Sequence, residues 1–203
     1  WPGLVGSEMC IRDRLNNMQN NKKLPEEISI FPLSNFIIFP ESTVPLNIFE
    51  PRYVQMIDDA MKSHRMIGMV QPKKTGDLKK PNLYNVGCVG KITSFNETDD
   101  GRYLIVLNGI SRFEILKEIS TNKLYRVCKV NYEKFSFDFK ENREKINFSN
   151  LETILKDLKS IFNKKGYAIN WSELEKQDLY NTINTLSMAS PISLEEKQTS
   201  VSY

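Results

Sequence analysis

The sequence predicts an α+β fold: a β-barrel with one inserted helix, followed by a C-terminal α-helical bundle. Three observations carry this. Short apolar runs separated by turn residues recur from Ile28 to Tyr132, as in a closed or half-closed barrel. One stripe at helical spacing (Tyr53, Met56, Ile57, Ala60, Met61) interrupts them. After Ser149 the apolar spacing becomes helical.

Each element follows from local chemistry. Ile28–Leu33 reads as a short strand closed by Pro32, and Asn35–Phe39 as a second apolar strand closed by Pro40. Proline sits at strand ends or on sheet edges, so both segments are expected along a rim. Leu46–Phe49 leads into Pro51, which suits the first turn of a helix because its missing N–H costs nothing there. Met66–Val70 reads as a strand and Gln71–Asn82 as a loop carrying Lys73, Lys74, Lys79 and Lys80. Val86–Phe95 and Tyr103–Leu107 read as strands joined at Asp99-Asp100-Gly101, where glycine supplies the positive φ a hairpin turn needs. Gly87 and Gly90 imply a bulge or close backbone approach, and Gly109 a bend. Phe113–Ile119 and Tyr125–Tyr132 complete the strands.

The expected division is a barrel over residues 25–135, a linker over 136–148 and a helical part over 149–199. Ser149 with Glu152, Ser172 with Glu175 and Ser193 with Glu196 are spaced as capping boxes, in which side chains satisfy orphan backbone N–H groups. Three helices are therefore expected, with Pro191 between the second and third. Residues 1–24 are set aside as a non-native or disordered lead, since Trp1–Arg14 resembles translated adapter sequence. Residues 200–203 are set aside as non-native for the same reason.

The chain has 203 residues, 28 Lys and Arg against 25 Asp and Glu, and one histidine. A net charge of +3 is weak attraction for a polyanion. No apolar run reaches the roughly 20 residues that span a bilayer. Cys10, Cys88 and Cys128 form no CxxC pair and no zinc spacing, which suits a reducing cytoplasm. No phosphate-loop, dinucleotide or nucleophile-elbow motif occurs. A single His64 excludes schemes that need two, and it is expected as a solvated surface residue. No enzyme, cofactor or metal is expected from this chain.

An ordered series of segments resembles the Lon protease amino-terminal, substrate-binding domain family. It runs through Ile30-Phe31-Pro32-Leu33, Asn35, Phe39-Pro40, Leu46, Ile48-Phe49-Glu50-Pro51-Arg52-Tyr53, Ile67-Gly68 and Val86-Gly87-Cys88-Val89-Gly90-Lys91-Ile92. It continues with Asp100-Gly101-Arg102-Tyr103, Gly109-Ile110-Ser111-Arg112-Phe113, Tyr125-Arg126-Val127 and Ser193–Gln198. The resemblance covers about residues 25–198, and Ile48–Tyr53 resembles the short stand-alone relatives. It implies a PUA-like barrel followed by a helical bundle. It also implies non-catalytic recognition of unfolded, damaged or degron-bearing polypeptide in cytoplasmic protein quality control, beside a protease or chaperone.

Recognising such polypeptides needs an exposed apolar patch or a free strand edge. The substrate-binding candidates are Phe36, Phe39, Pro40, Ile48, Phe49, Arg52, Tyr53, Arg102 and Arg112. Core packing is the competing expectation for the apolar ones. A structural ion pair is the competing expectation for each arginine, with Glu50 the natural partner of Arg52. Two other functions compete. RNA binding would use the lysine loop, but Asp77 interrupts it and no aromatic interleaves. The chain could also be the N-terminal fragment of an ATP-dependent Lon protease. Membrane binding is not expected, and nucleic acid is the weaker partner.

Overall fold

The computed structural model describes residues 24–34, 36–76, 80–139, 151–164 and 171–174, together with 182, 184, 186–188, 195, 198 and 199. Eight strands are described: β1 (Glu27–Pro32), β2 (Thr43–Ile48), β3 (Met66–Val70), β4 (Pro72–Gly76), β5 (Pro81–Leu83), β6 (Val86–Glu97), β7 (Tyr103–Ile119) and β8 (Arg126–Asn131). Helix α1 (Pro51–Met61) lies between β2 and β3, and α2 (Leu151–Lys164) and α3 (Trp171–Leu174) follow a 3-10 segment at Glu133–Phe139.

The main sheet runs β2-β7-β6-β3-β1-β8, and β7 also pairs with β8. Strands β7, β6, β3, β1 and β8 therefore close a ring, while β2 is attached to it through β7. Strands β1 and β3 pair in parallel, with Ile30 opposite Gly68, and the other pairings of this sheet are antiparallel. The chain returns to β1's side through β2 and α1, the crossover that a parallel pair requires.

One long strand makes this possible. The first half of β7 lies between β2 and β6, with Leu104 opposite both Asn47 and Asn96. Its second half pairs with β8, with Ile115 opposite Val130. Gly109 marks the change. A Cβ there would sit 2.1 Å from the Phe39 carbonyl oxygen, so only glycine lets the incoming chain cross this close. The Gly109 N–H donates to Ser42 O at 2.8 Å, and its carbonyl accepts from Glu41 N at 2.9 Å. The expected bulge also occurs: the β6–β7 register shifts between Val89 and Gly90.

The core follows the alternation. Tyr53, Met56, Ile57 and Ala60 on α1 pack with Phe31, Ile38, Val44, Ile48, Ile67 and Leu107. Ile28, Ile30, Val70, Val89, Phe113 and Val130 form a second cluster in the ring. Each such buried side chain contributes roughly 1.5–3 kcal/mol before the entropy of ordering it. Cys88 and Cys128 are free, buried thiols. Burial pushes the Cys128 thiol up to about 11, and that of Cys88 further.

Four expectations need correction. Residues 36–39 form no strand. They are an irregular segment whose backbone is satisfied locally: Phe39 N donates to Ser42 Oγ at 3.1 Å, and that hydroxyl donates to Phe39 O. The lysine loop contains a small two-stranded sheet, β4 with β5. The linker does not begin at 136, because the 3-10 segment buries Phe135 and Asp138 against the barrel. Finally, α3 begins at Trp171, so Ser172 lies inside it and not before it.

The other two expected boxes, at Ser149 and Ser193, and Pro191 fall outside the described residues, as do residues 1–23, 140–150 and 200–203. The described part of the C-terminal region lies against the barrel. Asn184 Nδ2 donates to Pro40 O at 3.1 Å and Gln198 Nε2 to Val86 O at 3.0 Å. Met188 packs on both apolar clusters around the irregular segment.

Candidate functional site

A surface that exposes a strand edge and large apolar side chains together lies where β2, β7 and the β6–β7 hairpin meet. In β2 the side chains alternate: Val44 and Ile48 point into the core, while Thr43, Pro45 and Asn47 are exposed. The backbone alternates as well. Ser42 O accepts from Gly109 N, so the N–H and C=O groups of Val44, Leu46 and Ile48 face β7. Those of Thr43, Pro45 and Asn47 then face away. Thr93 Oγ1 donates to Val106 O on the far side of β7, in keeping with this phase. Among the described residues β2 pairs with β7 alone. Pro45 stands where its missing N–H faces outward, a place where an edge strand tolerates it.

Apolar groups border this edge. Phe49 is 63% exposed and Leu104 44% exposed. Leu104 sits opposite Asn47, and two further steps of that register bring Phe49 level with Arg102. Asn47, Leu104, Arg102, Thr98, Asp99 and Asp100 line a shallow concavity of about 420 Å³. The hairpin that forms its wall is rigidly built. Gly101 adopts a φ of 77°, Thr98 N donates to Arg102 O at 2.9 Å, and Gly101 N donates to Thr98 O at 2.9 Å. The Thr98 hydroxyl, donating to Asp100, holds that carboxyl below its usual range.

Two ion pairs neutralise charge here, and Asp99 of the same lining enters neither. Arg102 Nε pairs with Asp100 at 2.9 Å. Arg52 pairs with Glu50 at 2.7 Å, and its guanidinium lies 4.5 Å from the Tyr53 ring centroid. The surface thus offers main-chain groups and apolar side chains beside two closed ion pairs. Among the described residues no group of three His, Cys, Asp or Glu could hold a metal ion. No described helix is long and apolar enough to cross a membrane.

A family model described as the ATP-dependent protease La (LON) substrate-binding domain matches residues 27–199. The chain belongs to this family. It is 27% identical over 192 residues to the Lon protease of Flavobacterium johnsoniae, covering 88% of this chain and 22% of that protein. It is 31% identical over 139 residues to the Lon protease of Parabacteroides distasonis, covering 68% of this chain and 16% of that protein. The chain therefore spans about a fifth of the length of these curated relatives. Its fold resembles the crystal structure of a Lon N-terminal domain protein from Xanthomonas campestris, with a TM-score of 0.62 and 17% identity over 87% of this chain and 90% of the other. The N-terminal domain of a Mycobacterium avium complex Lon protease gives a TM-score of 0.59 at 16% identity, with the same coverage.

Within this Lon substrate-binding domain, the residues expected to bind substrate separate into two groups. Phe39, Ile48 and Tyr53 are at most 7% exposed, and Pro40 is also buried. Their side chains lie in the core, because the irregular segment, the inward phase of β2 and α1 fold over the barrel. Phe36 is half-buried against the same cluster. Arg112 is structural: its backbone N, Nε and Nη2 all donate to the buried carboxylate of Asp138, at 2.9, 3.1 and 2.9 Å.

Phe49, Arg52 and Arg102 are exposed and lie around the end of β2. Sequence reasoning passed over Pro45, Asn47 and Leu104. The signal was present: Leu104 and Val106 occupy the outward phase of a strand whose inward phase is Tyr103, Ile105 and Leu107. His64 is exposed, as expected, yet engaged, since its Nδ1 accepts from Met66 N at 3.0 Å.

Proposed function

We propose that this chain recognises unfolded or degron-bearing polypeptide without cutting it, as a cytoplasmic substrate-selecting module of protein quality control that works beside a protease or chaperone. The observation that carries the reading is the exposed pair Phe49 and Leu104 beside the unpaired side of β2. Large apolar side chains exposed close together mark interaction surfaces, whereas ones scattered singly need no explanation. Local charge cancellation by Glu50–Arg52 and Asp100–Arg102 suits ligands chosen for exposed apolar character rather than charge. Family membership supports the same role.

The RNA reading gains nothing from the lysines that are described. Lys74 pairs with Glu195 at 3.2 Å and Lys80 with Glu118 at 2.9 Å, while Lys73 lies over the Tyr84 ring. The test is fluorescence anisotropy of labelled, reduced and carboxymethylated α-lactalbumin, a permanently unfolded chain, titrated with the full protein at two salt concentrations. The expected result is saturable binding that survives high salt and ignores a structured RNA competitor. Binding that falls steeply with salt and is displaced by the RNA would overturn the proposal.

A further inference from the structure

We infer that polypeptide binds by adding a strand to the outer edge of β2, and this rests on the substrate-recognition reading above. The backbone groups that face away from β7 are the carbonyls of Thr43, Pro45 and Asn47 and the N–H groups of Thr43 and Asn47. They repeat every ~6.8 Å, two residues of extended chain. Only another extended main chain presents donors and acceptors at that period. An unfolded segment has them free, whereas a folded surface has already paired its own.

The side chains at hand fit the same ligand. An added strand would run ~4.8 Å from β2. Residues on its outward face would then lie alongside exposed Pro45 and Phe49, with Leu104 one strand further across the sheet. Main-chain bonds would supply sequence-tolerant affinity, and the apolar border would select segments carrying large apolar residues at alternate positions.

Pro45 argues against the obvious competitor, a second copy of this chain. In an antiparallel pairing of β2 with itself centred on Pro45, both copies would bring a residue without an N–H to the same hydrogen-bonded pair. Shifted registers set each proline against a donor or acceptor that it satisfies only in part. A foreign strand brings its own donors to all three outward carbonyls and loses only the bond from position 45. The edge therefore accepts a ligand while disfavouring its own assembly, a device by which natural sheets manage exposed edges.

The experiment is amide hydrogen exchange on the full chain. The probe is a ten-residue peptide of alternating valine and threonine with lysine ends, compared with a counterpart N-methylated at every central amide. In the free protein the Thr43 and Asn47 amides are expected to exchange fast, and the Leu46 and Ile48 amides slowly. The unmethylated peptide is expected to protect Thr43 and Asn47. The methylated one is expected to bind at least about tenfold more weakly, the size of a few lost main-chain hydrogen bonds. Asn47→Pro removes one outward N–H and leaves the β7 ladder intact. It is expected to weaken peptide binding with a melting temperature within about 3 °C of the parent. Should that variant not fold, exchange on the parent chain decides alone.

If both peptides bind equally, or bind while Thr43 and Asn47 stay fast, strand addition is overturned and polypeptide recognition stands. If the peptide does not bind but unfolded α-lactalbumin does, strand addition is again overturned alone. If neither binds, both proposals fall. Protection of Thr43 and Asn47 that grows with protein concentration in the absence of peptide would assign the edge to a second copy, and would also overturn the inference.

Discussion

The two halves of β7 share one strand and one alternation, yet they face different worlds. From Arg112 onward the strand belongs to the ring. Phe113 is fully buried, and Arg112 on the opposite face is clamped to Asp138 of the 3-10 segment. From Tyr103 to Asn108 it is flanked by β2, beyond which no further described strand pairs. There the outward face carries Leu104 and Val106 and no charge. Closure of the ring satisfies backbone and side chains together, whereas among the described residues the half beside β2 leaves main-chain groups and apolar surface available at one place. The first half should therefore tolerate surface change and lose binding. The second should lose stability and leave intrinsic binding intact while folded.

The largest effect is expected at the centre of the closed half. The Phe113 ring fills the space above Gly68 and Gly87, where a Cβ would come within 2.9 Å of it. Phe113→Ala should cost about 3–5 kcal/mol, the usual range for emptying a site of this size. Denaturant unfolding followed by circular dichroism measures it, and a cost under about 1 kcal/mol would show that the ring is not the packing centre.

Asp138→Ala comes next. It leaves the Arg112 N–H, Nε and Nη2 without these acceptors, at a carboxylate only 2% exposed. Removing one partner of a buried pair costs about 3–5 kcal/mol, and the partly exposed Arg112 side chain places this case near the lower end. Replacing both residues together by Met and Leu should recover part of that loss, because the penalty lies in the partner left behind.

These two sites also show how far the sequence could be read. Helix α1 was legible because Pro51 and the stripe from Tyr53 agree with each other, and β3 was legible as one uninterrupted apolar run. The hairpin was legible through Asp100-Gly101. What could not be read is long-range. Nothing near Asp138 signals that it will meet Arg112, 26 residues earlier. The run from Phe36 to Phe39 has strand composition, but the Ser42 hydroxyl and the close pass of Gly109 hold it in an irregular path. The candidate surface was half legible. Phe49, Arg52 and Arg102 were named as members of the segments that resemble the Lon family, but Leu104 needed the β2–β7 register, and the side of β2 that no described strand pairs needed the strand order. Ile48 and Tyr53 share a motif with Phe49 yet point inward, a separation that only the fold makes.

A smaller effect concerns pH, and the chain's single histidine isolates it. Burial holds the His64 pKa below its ordinary 6.5, and its Nδ1 can accept from Met66 N only while unprotonated. The folded state therefore binds this proton more weakly than the unfolded chain does. The stabilisation is complete above about pH 6.5 and is lost as pH falls from there through the lower folded value. The denaturant midpoint should begin to decline as pH falls below about 6.5, ahead of the carboxylates, and His64→Gln should flatten that part of the curve. An unchanged decline in the variant would place its source elsewhere.

The smallest effect on stability, and the sharpest separation of the two halves, is expected from Phe49→Ser combined with Leu104→Ser. Phe49 is mostly in water and Leu104 nearly half so, and their replacement should move stability by no more than about 1 kcal/mol each. Affinity for unfolded α-lactalbumin should nevertheless fall about tenfold or more, since large apolar contacts dominate binding surfaces of this kind. Phe113→Ala, assayed at a temperature where it remains folded, should bind like the parent. If the serine pair binds normally, the apolar border is not the recognition surface. If it unfolds, the half of β7 beside β2 belongs to the core after all. Only stable folding with weakened binding fits a strand whose two halves divide structure from recognition.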